Sequence, residues 1–500
     1  MLVALAVSAF AASPGDDLTT LPGSSATPSV SSGSRRETDA GRGATSPLKK
    51  EKKNDNTNKK KKKKKKIATE SAAQAADSFE PNRFRVTWKQ HPSFRRGSTF
   101  RLDVKAMVQE DAHGTSLESS NLETFDLRRN RIGVSGDLFK HVEFEVEREF
   151  LDNRSDGAPS TKTPWKDAYL NIDFLENAQI QAGRFKIPFG LDQLTPITRN
   201  DFVNRSLGAT YLAPARDAGA MAHGRFFKRG LNYWAGVFAH DGDNARSSKM
   251  RGGDRTVAAR VTGKPFRLLG HTTKGTDPTE PAFSRCSRCA RWLNDIEVGT
   301  AYSLGSISDD SSEPNGLRGK TVMTEDTFFH SVFVKGQRRR WETDVDWKAG
   351  RASARGEYTW VSDERLQQGL GDDTLPEARA RAWYVSGGWV VFDGSSKGPG
   401  GVPRFLTAGW GSLEVVSRYE RLWFDSAGSA SASVSYRNPR AENILPSGNH
   451  VLTLGVNWTL NRWLRLQLNG IRERVEDPER SPASDGGAFW SPVCRVQFVL

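Results

Sequence analysis

From residue 99 onward, apolar residues recur at every second position. Phe100, Leu102, Val104, Ala106 and Val108 alternate with Arg101, Asp103, Lys105, Met107 and Gln109. Val142, Phe144 and Val146 alternate with Glu143, Glu145 and Glu147, and Leu452, Leu454, Val456 and Trp458 with Thr453, Gly455 and Asn457. A period of two puts each set on its own face of an extended strand. No run of 18 apolar residues occurs and the mean hydropathy is −0.60, so the chain has no helix able to span a bilayer. Strands of about ten residues with one apolar face remain compatible with two architectures. One is a transmembrane β-barrel with its apolar face outward. The other is a secreted, soluble β-sandwich binding glycan or cell wall, with its apolar faces packed together.

The turns separate these two. Strands are predicted near 99–109, 124–134, 141–150, 167–174, 179–187, 219–227, 232–240 and 255–263, then 295–304, 340–347, 351–361, 379–391, 409–421, 448–459, 463–473 and 489–500. Short connections at 135–140, 175–178, 228–231, 348–350 and 461–462 alternate with long ones. Connections 264–294 and 392–408 break the alternation. A seventeenth candidate, 328–334, falls out of phase and is assigned to a long loop. An even number of antiparallel strands with one short and one long side is the pattern of a barrel with both termini on the periplasmic side. The expected fold is all-β: a transmembrane antiparallel barrel of 16 strands over 81–500.

The N-terminal part has a different composition. Residues 1–12 end in small residues after a short apolar run and read as a secretory signal peptide, although no positive charge precedes the run. Residues 13–80 are rich in Ser, Thr, Gly and Pro and carry eight consecutive lysines at 59–66, so they are expected to be disordered and periplasmic. The lysine block is either a solvated tether or a contact with an anionic cell-wall or lipid surface. The net charge is +14, of which +6 lies in the first 80 residues and +8 is spread over the other 420. Charge that diffuse is no nucleic-acid footprint.

No chemistry-bearing motif is present. There is no metal spacing among the eight histidines and no nucleophile or phosphate-loop sequence, so neither enzyme, metal nor cofactor is expected. Cys286 and Cys289 form a lone CxxC, which reads as a local disulfide in an oxidising compartment, and Cys494 reads as a small apolar strand residue.

The candidate functional residues are basic. The connection at 188–218 holds three prolines and no helical period, a length that is uncommon in a compact domain and usually functional. It carries Arg199, Arg205, Ser206 and Arg216. Guanidinium forks and a hydroxyl suit an oxyanion that has shed part of its hydration. The competing reading pairs these arginines with Asp201 or Asp217. Lys186 stands at the loop's entrance. Arg128, Arg129 and Arg131 cluster on the second strand, where Phe125 and Leu127 set one phase and Ile132 and Val134 the other, so a bulge lies between them. Which of the three faces the lumen stays open. Glu143, Glu145, Glu147 and Glu149 would share that lumen and oppose anions unless paired.

FDLRRNRIGVSGDLFKHVEFEVEREF (125–150), GRFKIPFG (183–190), NRSLGATYLAPARDAGAMAHG (204–224), LEVVSRYERL (413–422) and LTLGVNWTLNRWLRLQLN (452–469) together resemble the phosphate-selective porin O and P family. The resemblance implies a 16-stranded outer-membrane barrel, commonly a homotrimer in outer-membrane lipid, that passively passes small anions such as phosphate. It also implies an arginine-lined pore narrowed by its third loop, with Arg128, Arg129 and Arg131 matching the arginine-rich second strand. Arg205, Ser206 and Arg216 match the basic and hydroxyl positions of the inward loop. The terminal residues 496–500 resemble the insertion signal of outer-membrane barrels, with Leu500 in place of the usual aromatic residue.

Overall fold

The structure, a computed structural model, describes residues 84–88, 91–117, 125–151, 164–242, 255–268, 292–308, 313–394, 411–428 and 438–500. The signal-peptide reading, the 13–80 extension with its lysine block, and the Cys286–Cys289 pair lie outside the described residues.

Among the described residues there are twenty strands. β1 (Phe84–Trp88) and β2 (Pro92–Arg96) form a short leading hairpin. The barrel begins with β3 (Phe100–His113), β4 (Phe125–Leu138), β5 (Val142–Glu149), β6 (Trp165–Leu175) and β7 (Ala178–Lys186). It continues with β8 (Arg216–Phe226), β9 (Leu231–Phe238), β10 (Thr256–Gly263) and β11 (Glu297–Ile307). Then β12 (Gly319–Lys320) pairs with β13 (Thr327–Phe329) as a separate two-stranded ribbon inside a long loop. The barrel resumes with β14 (Gly336–Ala349), β15 (Ala352–Arg365), β16 (Leu375–Asp393) and β17 (Ser412–Ser426). It ends with β18 (Ser447–Thr459), β19 (Leu464–Val475) and β20 (Phe489–Val499).

Each barrel strand pairs antiparallel with the next, and the ring closes where Met107–His113 of β3 meet Val499–Val493 of β20. All 16 predicted strands are found, and the 328–334 candidate lies in the loop as expected. The sheet closes on itself, so the two-sheet sandwich is overturned. The leading hairpin went unpredicted. Its β2 adds to Phe100–Asp103, the part of β3 that β20 does not reach.

The barrel is inside out compared with a soluble protein. Val385 is 60% exposed and Ile180 59%, while Arg338 and Glu342 are 0% exposed. A wall that turns large aliphatic residues outward and charges inward has lipid outside and a polar lumen inside. Gly183 on β7 has φ +129°, and a Cβ there would collide with the Ala168 carbonyl oxygen of β6, so only glycine lets the two strands approach.

A candidate lumenal constriction on an inward loop

The connection 187–215 leaves β7 and returns to β8, and its sequence keeps it out of water. Ile187, Phe189, Val203 and Leu212 are each 0% exposed. Ile187 and Phe189 pack with Phe185, Met221 and Phe238 of the adjacent wall. Val203, Leu207 and Leu212 join Phe328, Phe329, Leu422, Phe424 and Val451. The loop therefore crosses the barrel interior. Two short helices, α1 (Leu191–Leu194) and α2 (Leu207–Tyr211), consume backbone polar groups on the way, although the sequence shows no helical period there.

The far wall anchors it. Asn469 Oδ1 of β19 accepts from the Val203 N–H at 2.8 Å, and Glu420 of β17 accepts from the Leu207 N–H at 2.5 Å. Glu357 of β15 accepts from the Asp192 N–H at 3.0 Å. In the other direction, Arg340 of β14 donates to the Leu212 carbonyl at 2.8 Å and Asn457 of β18 to the Asp201 carbonyl at 2.8 Å. Arg495 of β20 donates to the Val203 carbonyl at 2.6 Å. Backbone groups that a buried loop would otherwise leave unsatisfied are thus matched by wall side chains.

The candidate basic residues sit on the other side of this loop or on it. On β4, the register slips opposite Gln109 and Glu110, which leaves Arg128 as the extra residue of a bulge, as the phase change required. Arg129 and Arg131 then face the lumen. Arg129 donates to Gln109 Oε1 at 2.8 Å, and no carboxylate lies within ion-pair distance of it among the described residues. Arg131 bonds to Glu149 at 2.6 Å and Glu147 at 3.1 Å. Arg128 pairs at 3.5 Å with Asp126. The Glu143–Glu149 row is partnered along its own wall, with Glu145 held by Lys105 and Tyr169, each at 3.1 Å, and Glu143 by Asn171 at 2.9 Å.

Lys186 donates to the Gln193, Leu194 and Thr195 carbonyls at 2.7–3.3 Å, so it caps α1 and fixes the loop's first bend. Arg205 donates to the Thr195 carbonyl at 2.7 Å and faces Asp192 at 3.9 Å. Burial holds Arg205 below its ordinary pKa; Asp192 raises it, and Arg216 and Arg131 lower it. Lys186 stands in the field of the same Arg205, Arg216 and Arg131. Four of the eight candidates therefore converge. Arg216 forms a two-pronged pair with Asp167, not with Asp201 or Asp217, its Nε and NH2 lying 2.7–3.2 Å from the carboxylate. Asp201 instead pairs with Arg355 and Asp217 with His240. Ser206 is 1% exposed, and its hydroxyl accepts from the Ala209 N–H at 3.2 Å as the cap of α2. Arg199 is exposed.

The sequence profile of the family described as "Phosphate-selective porin O and P" matches residues 101–280 and 307–499. The chain belongs to that family. This porin therefore forms a channel through the outer membrane. No curated protein matches it in sequence. Among solved structures, it is similar to the anion-selective porin from Comamonas acidovorans (11% identity, 80% of this chain and 100% of that chain, TM-score 0.47). It is also similar to the trimer form of OmpT of Vibrio cholerae (10%, 80% and 100%, TM-score 0.48) and to Salmonella typhi OmpF in complex with daunomycin (12%, 81% and 98%, TM-score 0.47).

The porin also holds a set of lumenal arginines that the sequence reading passed over. Arg338 bonds to Asp363 at 2.5 Å and Asp241 at 2.8 Å, and Arg340 bonds to the same Asp241. Arg260 bonds to Glu342 at 2.8 Å and Asp344 at 2.6 Å. The signal was present in QRRRWETD, where Arg338, Arg340, Glu342 and Asp344 fall on one face at period two. Starting that strand at 340 hid it.

Proposed function

We propose that this porin is a passive, anion-preferring diffusion channel, working as a homotrimer, with phosphate among its substrates. The observation that carries the reading is the convergence of basic side chains where the inward loop meets the β4–β8 wall: Lys186 and Arg205 donate to the same Thr195 carbonyl, Arg216 stands opposite Lys186 in the β7–β8 register, and Arg131 lies in their field. Arg131, Arg205 and Arg216 stay charged at any working pH; the first and last are held by carboxylates, and Arg205, which donates to a carbonyl and faces Asp192 only at 3.9 Å, is the one that offers donors to an oxyanion. Arg129, with no carboxylate within ion-pair distance among the described residues, and the exposed Arg199 add positive charge along the approach. Ser206, spent on its cap, supports α2 and thereby the position of Arg205. The neighbouring carboxylates keep the field moderate, which suits permeation: an ion held too tightly would stall.

The test is reversal potential in planar bilayers under a KCl gradient. Anion preference is expected, with phosphate lowering the chloride current as it occupies the constriction. A cation-selective reversal potential would overturn the anion reading, and an unchanged chloride current would remove phosphate from it.

A further inference from the structure

A second group of arginines lies on the opposite surface of the wall. At the long-loop ends of the strands, Arg339 (β14), Arg379 and Arg381 (β16), Arg421 (β17), and Arg472 and Arg474 (β19) all share the outward phase. The register connects them laterally. Ser362 stands opposite both Arg339 and Arg379, His450 stands opposite both Arg421 and Arg474, and Arg472 stands opposite Trp490. Immediately toward the short-turn side comes an aromatic row that includes Trp341 and Tyr419, 43% and 42% exposed, while Trp490, 43% exposed, stands beside Arg472 across the β19–β20 pair. Beyond it the surface is aliphatic, with Val345, Val385 and Leu454.

This sequence of arginine, aromatic and aliphatic layers is the profile of a bilayer's edge. Aromatic residues favour the interface, so the arginines beyond them stand at headgroup depth. Long loops mark the extracellular side of an outer-membrane barrel, which assigns these arginines to the outer leaflet. Three are already engaged. Arg339 pairs with Glu364 at 2.6 Å, Arg381 with Asp425 at 2.5 Å, and Arg421 with Glu476 at 2.6 Å. Arg421 also stacks on Trp423 at 4.5 Å, which stiffens that part of the surface. Among the described residues, Arg379, Arg472 and Arg474 have no carboxylate within ion-pair distance. The Arg379 Nε is buried with no hydrogen-bond acceptor. Arg472 and Arg474 are exposed.

We propose that Arg379, Arg472 and Arg474 bind the phosphate groups of outer-leaflet lipid headgroups, with the arginine–aromatic arc of β14–β19 as the seat. Charge complementarity decides the occupant. Three guanidiniums at headgroup depth with no carboxylate partner among the described residues call for an anion, and only a lipid also satisfies the apolar surface directly beneath them. Basic clusters beside a membrane surface gain about 1 kcal/mol per arginine, which is a factor of roughly five each.

Native mass spectrometry of the full porin released from detergent, after equilibration with equal phosphatidic acid and phosphatidylcholine, tests this. The wild type is expected to retain phosphatidic acid preferentially. R379Q/R472Q/R474Q should lose that preference by at least about tenfold, whereas R379K/R472K/R474K should keep most of it. These side chains face away from the lumen, so single-channel conductance and heat-modifiable mobility should not change. If the triple variant does not fold, R472Q and R474Q taken singly should each weaken retention by roughly fivefold. Equal phosphatidic acid retention by wild type and glutamine variants would overturn the proposal. Displacement of the lipid by inorganic phosphate alone would also overturn it, because the seat would then be a free-anion site.

Discussion

The Arg495 guanidinium donates to the Val203 carbonyl at 2.6 Å, joining residues 292 apart in the chain. The same guanidinium grips Asp111 of β3 through two contacts of 2.6 Å. One side chain on the closing strand therefore fastens the barrel seam and holds the tip of the inward loop across the lumen.

Replacing Arg495 with alanine should affect both. Asp111 would be left as a buried carboxylate without its partner, a loss on the order of 3–5 kcal/mol. The loop would also lose an anchor. A lower temperature for the heat-modifiable gel shift, together with a larger or noisier single-channel conductance, is the expected result. A destabilised barrel with wild-type conductance would mean that the other wall contacts suffice to hold the loop.

The pair between Arg216 and Asp167 makes charge deletions there informative. Arg216→Ala removes one positive charge and exposes the carboxylate of Asp167, so the reversal potential should shift strongly toward cations. Adding Asp167→Asn should return most of the shift. Arg199→Gln, at an exposed position, should give a smaller loss of anion preference with no change in thermal stability. If none of these variants alters the reversal potential, the loop is not the selectivity element.

Ser206 supplies a control of the opposite kind. Its hydroxyl caps α2, so Ser206→Ala should cost about 1 kcal/mol of stability and leave ion selectivity unaltered. A reduced anion preference in a variant of normal stability would show the hydroxyl meeting the ion in the working pore.

The lipid-facing wall predicts a penalty that a water-facing one would not carry. Val385 is 60% exposed, and an ordinary exposed site tolerates most substitutions within about 0.5 kcal/mol. In a bilayer, Val385→Arg should cost up to about 2–4 kcal/mol, depending on its depth. The expected readout is a smaller folded fraction after insertion into vesicles, with the folded population conducting normally.

The strands were legible in the chain because their physics is local. Alternation at period two, interrupted by turn residues, depends only on neighbours a few positions apart, and it located all 16 barrel strands and, in the regular ones such as 99–109 and 448–459, the face that meets lipid. It also required the β4 bulge, since Leu127 and Ile132 cannot both face outward on a regular strand. The lumen was decided by tertiary structure. Arg216 had acidic neighbours in sequence at Asp201 and Asp217, yet it pairs with Asp167 because β6 lies next to β7 and presents that carboxylate to the loop's end. Ser206 read as a hydroxyl free to meet an ion, and the inward fold turned it into a helix cap. Arg338, Arg340 and Arg495 find their acids through barrel closure and long-range register. By itself the sequence determined an alternating wall with a basic, proline-bearing loop. Which charges neutralise one another, and which remain for an ion, only the closed barrel decided, because those pairings join residues that the chain keeps far apart.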